Sequence, residues 1–163
     1  GRGAKALIID LKGCGGGDLR AKKDVTSLFL PKGAPLWLIE DIRSGERKLI
    51  RTSVQGNFTE LPLAVLVDKN THGELPAAAI KRNRRGRILG QTTSGMSALK
   101  SLVKNPDGSS SLQPIGNLLM SPQQPVTDAG VAPDIKLPER MTEEECINAA
   151  VKQLQPDAKP ASR

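Results

Sequence analysis

Apolar and polar positions in this chain alternate in blocks whose period changes along the sequence. Residues 4 to 11, AKALIIDL, form a continuous apolar run closed by Asp10 and followed by GCGGGD, the pattern of a buried strand entering a glycine turn. Asp18 then caps a helical segment in which Leu19, Val25, Leu28 and Phe29 recur at spacings of three, four and their multiples, ending at Leu30-Pro31-Lys32-Gly33. PLWLIED and ERKLIRTS flank the turn Arg43-Ser44-Gly45 with β-branched and apolar residues on both arms, which predicts a hairpin. LPLAVLVD, residues 61 to 68, reads as a second buried strand, HGELPAAAIKRNRR as a helix, and RILG as a return to strand. Helices placed between strands in this way indicate an α/β domain.

Beyond Gly90, SALKSLV, the turn Asn105-Pro106-Asp107-Gly108 and SSLQPIGNLLM predict a second hairpin. A looser stretch, SPQQPVTDAGVAPDIKLP, leads to TEEECINAAVKQL. That segment opens on the capping box Thr142-Glu143-Glu144-Glu145 and puts Cys146, Ile147, Ala150, Val151 and Leu154 on one face of a closing helix. The reading is one domain over residues 1 to 155 and a polar, frayed tail over 156 to 163. The chain opens abruptly on a core strand, as a piece of a longer protein would.

Composition narrows the function classes. At 163 residues and 37% apolar, the chain is long enough for one core, and no run of 18 apolar residues offers a membrane span. The basic start GRGAKALIID is too short-cored for a signal peptide. Two cysteines, Cys14 and Cys146, cannot make a disulfide framework, and no His, Cys and carboxylate cluster has metal spacing. The net charge of +7 attracts polyanions, yet Phe29, Trp37 and Phe58 are the only aromatics, too few for the stacking platform of a single-strand nucleic-acid binder.

Four landmarks, in order, resemble the core domain of the carboxy-terminal processing, or tail-specific, serine peptidases. They are ALIIDLKGCGGGDLRAKKDVTSLFLPKG, LPLAVLVDKNTHGELPAAAIKRNRRGRILGQTTSGMS, the strand pair around Pro106-Asp107-Gly108, and GVAPDI at residues 130 to 135. The resemblance spans residues 4 to 155 and implies a spiral α/β core of β-strands with crossing helices, shared with crotonase-like and Clp-type peptidase cores. It also implies protein or peptide carboxyl termini as partners, a PDZ domain in a longer parent chain, an extracytoplasmic compartment (periplasmic or lumenal), and no cofactor.

The family's chemistry is a Ser–Lys dyad, in which a lysine with a burial-depressed pKa takes the serine proton. Anchored on Glu74 and Gly90, the resemblance places the serine position on Thr71 and the lysine position on Met96. Methionine has no titratable group, so the general base is missing. Gly16 and Gly17 match the turn glycines of the oxyanion apparatus, and His72 follows the nucleophile position with its backbone N–H.

Each of these residues has a plainer reading. Thr71 is either a threonine nucleophile or, with Glu74, a capping box. His72, the only histidine, is either a base beside Thr71 or a loop residue. Ser94 or Ser97 could replace the nucleophile in a shifted register. Lys100 stands about 13 Å along the strand from Met96, too far to replace the lysine. Lys81, Arg82, Arg84, Arg85 and Arg87 form either a solvated helix end or a patch for an acidic partner, with nucleic acid disfavoured. The GCGGGD turn could cradle a phosphate at a helix N-terminus, but it lacks the Lys-Ser/Thr of a P-loop and the spacing of a dinucleotide fingerprint, so a backbone turn is the preferred reading. Cys14 is a reactive thiol or a small buried filler, and Cys146 is a core residue.

The reading that follows is a tail-specific-peptidase-like domain that has lost its dyad and acts as a peptide-binding or scaffolding module. The alternatives are an active endopeptidase with a displaced nucleophile and a basic electrostatic adaptor.

Overall fold

The apolar run at 61 to 68 becomes the most deeply buried strand of the protein. In the computed structural model, which describes residues 3–95, 98–121, 124–125 and 129–155, this strand is β4 (Leu63–Val67), with all five residues buried. Two faces account for that. Leu63, Val65 and Val67 point toward one helix, while Ala64 and Leu66 point toward another, so a continuous apolar run replaces strict alternation. Preceding it in the chain are β1 (Leu7–Asp10), α1 (Leu19–Ser27), β2 (Pro35–Asp41) and β3 (Arg47–Arg51). After it come α2 (Leu75–Arg82), β5 (Arg87–Gly90), β6 (Ala98–Lys104), β7 (Ser110–Ser121), β8 (Gln124–Pro125), β9 (Ile135–Lys136) and α3 (Glu143–Leu154).

Two sheets result. The parallel sheet has the order β1-β4-β5-β9, and the antiparallel sheet runs β3-β2-β7-β6 with β8 added to β7. Helix α2 lies between them. Its Ala77, Ala78 and Ile80 pack with Val65, Ile88 and Phe29, while Leu75 and Ala79 pack with Trp37, Leu36 and Leu118 of the antiparallel layer. Every residue from Leu75 to Ile80 is buried, and the run of three alanines lets both sheets approach it closely. Helix α3 covers the opposite face of the parallel sheet through Cys146 and Ala150. At the end of β5, Gly90 has φ +127°, and a Cβ there would overlap the Val67 carbonyl, so only glycine fits.

The expected strands, hairpins and helices all occur, and the mixed parallel and antiparallel α/β architecture is the one expected. The helix faces need correction. In α1 the buried residues are Thr26 and Ser27, while Val25 and Leu28 are 49% and 39% exposed. The two hydroxyls can be buried because each donates back along the helix, Thr26 to the Lys22 carbonyl at 2.6 Å and Ser27 to that of Lys23 at 2.7 Å. On α3, Ile147 and Val151 are exposed, leaving Cys146 and Ala150 as the buried contacts. The capping box of α3 is present, with Thr142 and Glu145 bonded reciprocally. The tail at 156 to 163 lies outside the described residues.

The segment GVAPDI earns its pattern through hydrogen bonding. Asp134 accepts from the Ile88 amide at 2.9 Å with one carboxylate oxygen and holds Lys81 at 3.2 Å with the other, while its own amide donates to the Ile88 carbonyl at 2.8 Å. Those contacts dock β9 on β5. Gly130, at φ +62°, passes so close to Thr93 that a side chain would strike its carbonyl.

Candidate functional site

The loop after β4 is built around Thr71, which is fully buried. Its hydroxyl accepts from the Asp68 amide at 2.9 Å and faces two acceptors, the Leu11 carbonyl at 3.0 Å and Asp68 Oδ1 at 2.8 Å. The expected capping box is therefore not formed. Helix α2 begins at Leu75 with Glu74 as its N-cap and no side-chain capping bond, because Pro76 lacks one of the amides a cap would serve and the Thr71 hydroxyl is engaged inside the preceding turn.

Glu74 is buried too, at 1% exposure. Its Oε2 accepts from the Thr93 hydroxyl and from the Gly95 amide at 3.1 Å, while Oε1 has no partner among the described residues. Thr93 in turn accepts from the Val131 amide at 2.8 Å. One carboxylate thus joins the loop before α2, the loop after β5 and the GVAPDI segment. Ser94 lies against the same loop, its hydroxyl donating to the Thr71 carbonyl at 3.0 Å. Met96 and Ser97 lie outside the described residues.

A cleft of about 860 Å³ opens beside these loops. One wall is the Gly16–Gly17 turn and the first turns of α1, Leu19 and Lys22. The facing wall is the β6–β7 hairpin, with Ala98, Leu99, Lys100, Leu112 and Leu118, and Gly95 and His72 close the end between them. His72 is the residue of the β4–α2 loop that reaches the cleft; Thr71 does not line it.

The backbone donors divide. The amides of His72 and Gly73 both donate to the Cys14 carbonyl, at 2.8 and 3.1 Å, so the N–H expected to serve as an oxyanion donor is occupied. The amides of Gly16 and Gly17 have no intramolecular acceptor among the described residues, and Gly17 holds φ +114°. His72 Nδ1 is buried without a partner among the described residues.

Lys22 was not singled out by sequence reasoning. It stands half-buried in the cleft wall, where burial pushes its ammonium below the ordinary lysine value and the Glu74 carboxylate partly offsets that. The available signal was its spacing: Leu19 and Lys22, three apart on a helix that starts just after the glycine turn, must share the face the turn presents. Lys100, set aside as too distant, lines the same cleft from the opposite wall.

Three other readings meet the structure. Cys14 is exposed rather than a buried filler, whereas Cys146 is buried. The glycine turn acts as a backbone turn, the reading preferred over a phosphate cradle, and Asp18 itself occupies the helix N-terminus, its carboxylate accepting from the Arg20 and Ala21 amides at 2.7 and 3.0 Å. The basic run is not uniformly a solvated helix end. Arg85 donates from Nε to the Phe29 carbonyl at 2.9 Å and from Nη2 to the Phe58 and Leu61 carbonyls, and Lys81 donates to the Ala132 carbonyl besides pairing with Asp134. Among the described residues no group of His, Cys and carboxylates could hold a metal, and no helix is long and apolar enough to cross a membrane.

Comparison with known proteins agrees with this architecture. The chain is 28% identical over 148 residues to carboxyl-terminal-processing peptidase 2, chloroplastic, of Arabidopsis thaliana, covering 89% of this chain and 28% of that protein. It is 26% identical over 137 residues to the carboxy-terminal processing protease CtpA of Bacillus subtilis, covering 83% and 29%. Its fold superposes on the photosystem II D1 C-terminal processing protease with a TM-score of 0.77 and 28% identity, over 96% of this chain and 40% of that one. Mature CPAF shares the fold at a TM-score of 0.77 and 14% identity. The chain spans less than a third of the length of these two curated relatives. Residues 1–137, which include both loops at the cleft and the GVAPDI segment, match the family model of Peptidase family S41, and the chain belongs to that family.

Proposed function

We infer that this domain binds extended peptide carboxyl termini in the cleft between α1 and the β6–β7 hairpin and does not hydrolyse them. The observation that carries this is the hydroxyl of Thr71, fully buried and bonded within its own turn. A nucleophile has to present its oxygen to a substrate carbonyl beside a group able to take its proton. Here Thr71 does not line the cleft, and the residue that the resemblance assigns to the lysine position is methionine. With the His72 amide also engaged, Gly16 and Gly17 are left as backbone donors, suited to hold a peptide carbonyl.

What remains is a binding surface. Leu19, Leu99, Leu112 and Leu118 offer apolar contact for the last side chains of a peptide, while Lys22 and Lys100 on opposite walls attract its terminal carboxylate. Protein carboxyl termini are the partners by the same reading. The compartment is extracytoplasmic, in keeping with the chloroplastic assignment of several relatives.

Fluorescence anisotropy with a labelled, unstructured peptide ending in Leu-Ala-Ala should show saturable binding that Lys22→Glu and Leu112→Asp both weaken. In the same samples, casein and the peptide should remain intact. Turnover that disappears in Thr71→Ala would overturn the reading in favour of an active endopeptidase.

A further inference from the structure

At the far end of α2 from His72, about 12 Å along the helix axis, lies a second concavity of about 590 Å³. Lys81, Arg84, Arg85, Arg87, Asp134 and Gln153 contribute to its lining. We propose that this pocket is a site for a small ligand carrying two or more phosphate groups. It stands apart from the peptide cleft and does not depend on how that cleft is read.

Charge is the first support. The pocket's one carboxylate, Asp134, is already paired with Lys81 at 3.2 Å and accepts the Ile88 amide. Arg85 is held by three neutral carbonyls, and neither Arg84 nor Arg87 forms an ion pair among the described residues. Arg84 and Arg87 thus line one concave space without an ion pair among the described residues, beside the carbonyl-bonded Arg85.

Backbone conformation is the second. Arg84 is the one non-glycine residue at positive φ among those described, at +51°. It sits just past the C-cap Asn83, where its amide donates to the Lys81 carbonyl at 2.9 Å and the Arg85 amide to that of Ile80 at 3.0 Å. This is the left-handed helix ending for which glycine is the least strained choice. An arginine there strains the backbone and gains no ion pair, while setting its side chain at the pocket. Strain kept at such a position points to a role for the side chain. The same two amide bonds occupy the last carbonyls of α2, so the negative end of its dipole is partly masked from an incoming anion.

Volume and chemistry choose the ligand. The space exceeds what a single phosphate fills and falls within the range of small-molecule sites. Arginine forks suit the divergent oxygens of linked phosphates, which also deliver several charges in a small volume.

Titration calorimetry with tripolyphosphate in low-salt buffer, using the whole chain, tests this. Wild type should bind with Kd below about 100 μM, and Arg84→Gly and Arg87→Ser should each weaken binding by about tenfold, the loss of one charge-assisted contact. Arg84→Gly should also melt at the same temperature as wild type or higher, so weaker binding cannot be misfolding. Citrate should bind at least about tenfold more weakly than tripolyphosphate. Unmeasurable tripolyphosphate binding, undiminished affinity in Arg84→Gly, or equal affinity for citrate would each overturn the proposal. So would duplex DNA binding tighter than tripolyphosphate with the same sensitivity to Arg84→Gly, which would make the pocket part of a nucleic-acid surface.

Discussion

Replacing Arg85 with alanine should cost this domain far more than replacing its neighbours in the basic run. The guanidinium joins the end of α1 (Phe29), the segment before β4 (Phe58 and Leu61) and the turn after α2 through three hydrogen bonds to carbonyls. A hydrogen bond from a charged donor contributes about 1.5–3 kcal/mol when well buried, and discounting for partial exposure leaves about 1 kcal/mol each. The sum is about 3 kcal/mol, before any gain from water reaching the freed carbonyls. Burial also pushes the Arg85 pKa below the ordinary arginine value, with the Glu60 carboxylate opposing that shift, so desolvation already subtracts from what the side chain contributes. Arg85→Lys keeps one charge but cannot reach three acceptors, and should lose about 2 kcal/mol. Arg84→Ser is expected to stay within about 0.5 kcal/mol of wild type. Urea titrations followed by circular dichroism would rank the three variants, with the slope of free energy against denaturant unchanged. A loss under about 1 kcal/mol for Arg85→Ala would refute the clamp and restore the picture of a wholly solvated basic helix end.

Two more expectations concern the cleft and its rim. The unfolded chain holds the Lys22 proton up to the ordinary value of 10.5, whereas the folded chain releases it earlier because of burial, so the unfolded state binds more protons in that window and stability should rise with pH through it. Lys22→Met should stabilise the domain at pH 7 and flatten that rise, as read from melting curves between pH 7 and pH 10.5; an unchanged slope would contradict the burial of Lys22. Maleimide should label one thiol in the native protein and two after denaturation, since Cys14 is exposed and Cys146 buried; native labelling of both would place α3 wrongly.

The elements of the fold could be read from the sequence because each carries a local signal. Apolar runs of strand length, an Asp N-cap before α1, a Thr and Glu capping box before α3 and Pro-Asp-Gly between β6 and β7 all act over a few residues. What could not be read were consequences of contact between distant segments. Val25 looked like core and is exposed, because the face α1 turns inward is set by how it meets its neighbours, and Thr26 and Ser27 can be buried once their hydroxyls bond backward. The Thr71 hydroxyl meets the Leu11 carbonyl sixty positions away, which no capping pattern encodes. Arg85 resembled its charged neighbours until the carbonyls of 29, 58 and 61 converged on it. The resemblance assigns the catalytic pair to positions 71 and 96, but which residues line the cleft depends on tertiary geometry.

The placement of α2 between both sheets governs how this domain comes apart. A helix buried on two sides cannot open toward solvent without separating the layers, so its amides should exchange with deuterium only when the whole molecule unfolds. The outer half of the β6–β7 hairpin, beyond the part of β7 paired with β2, has no such protection: Leu102 and Leu112 face each other across it at 67% and 62% exposure. Its amides should exchange through local fraying. The domain therefore joins a rigid centre to a pliant cleft wall, and a peptide settling against that wall would slow exchange along the hairpin while leaving α2 unaffected.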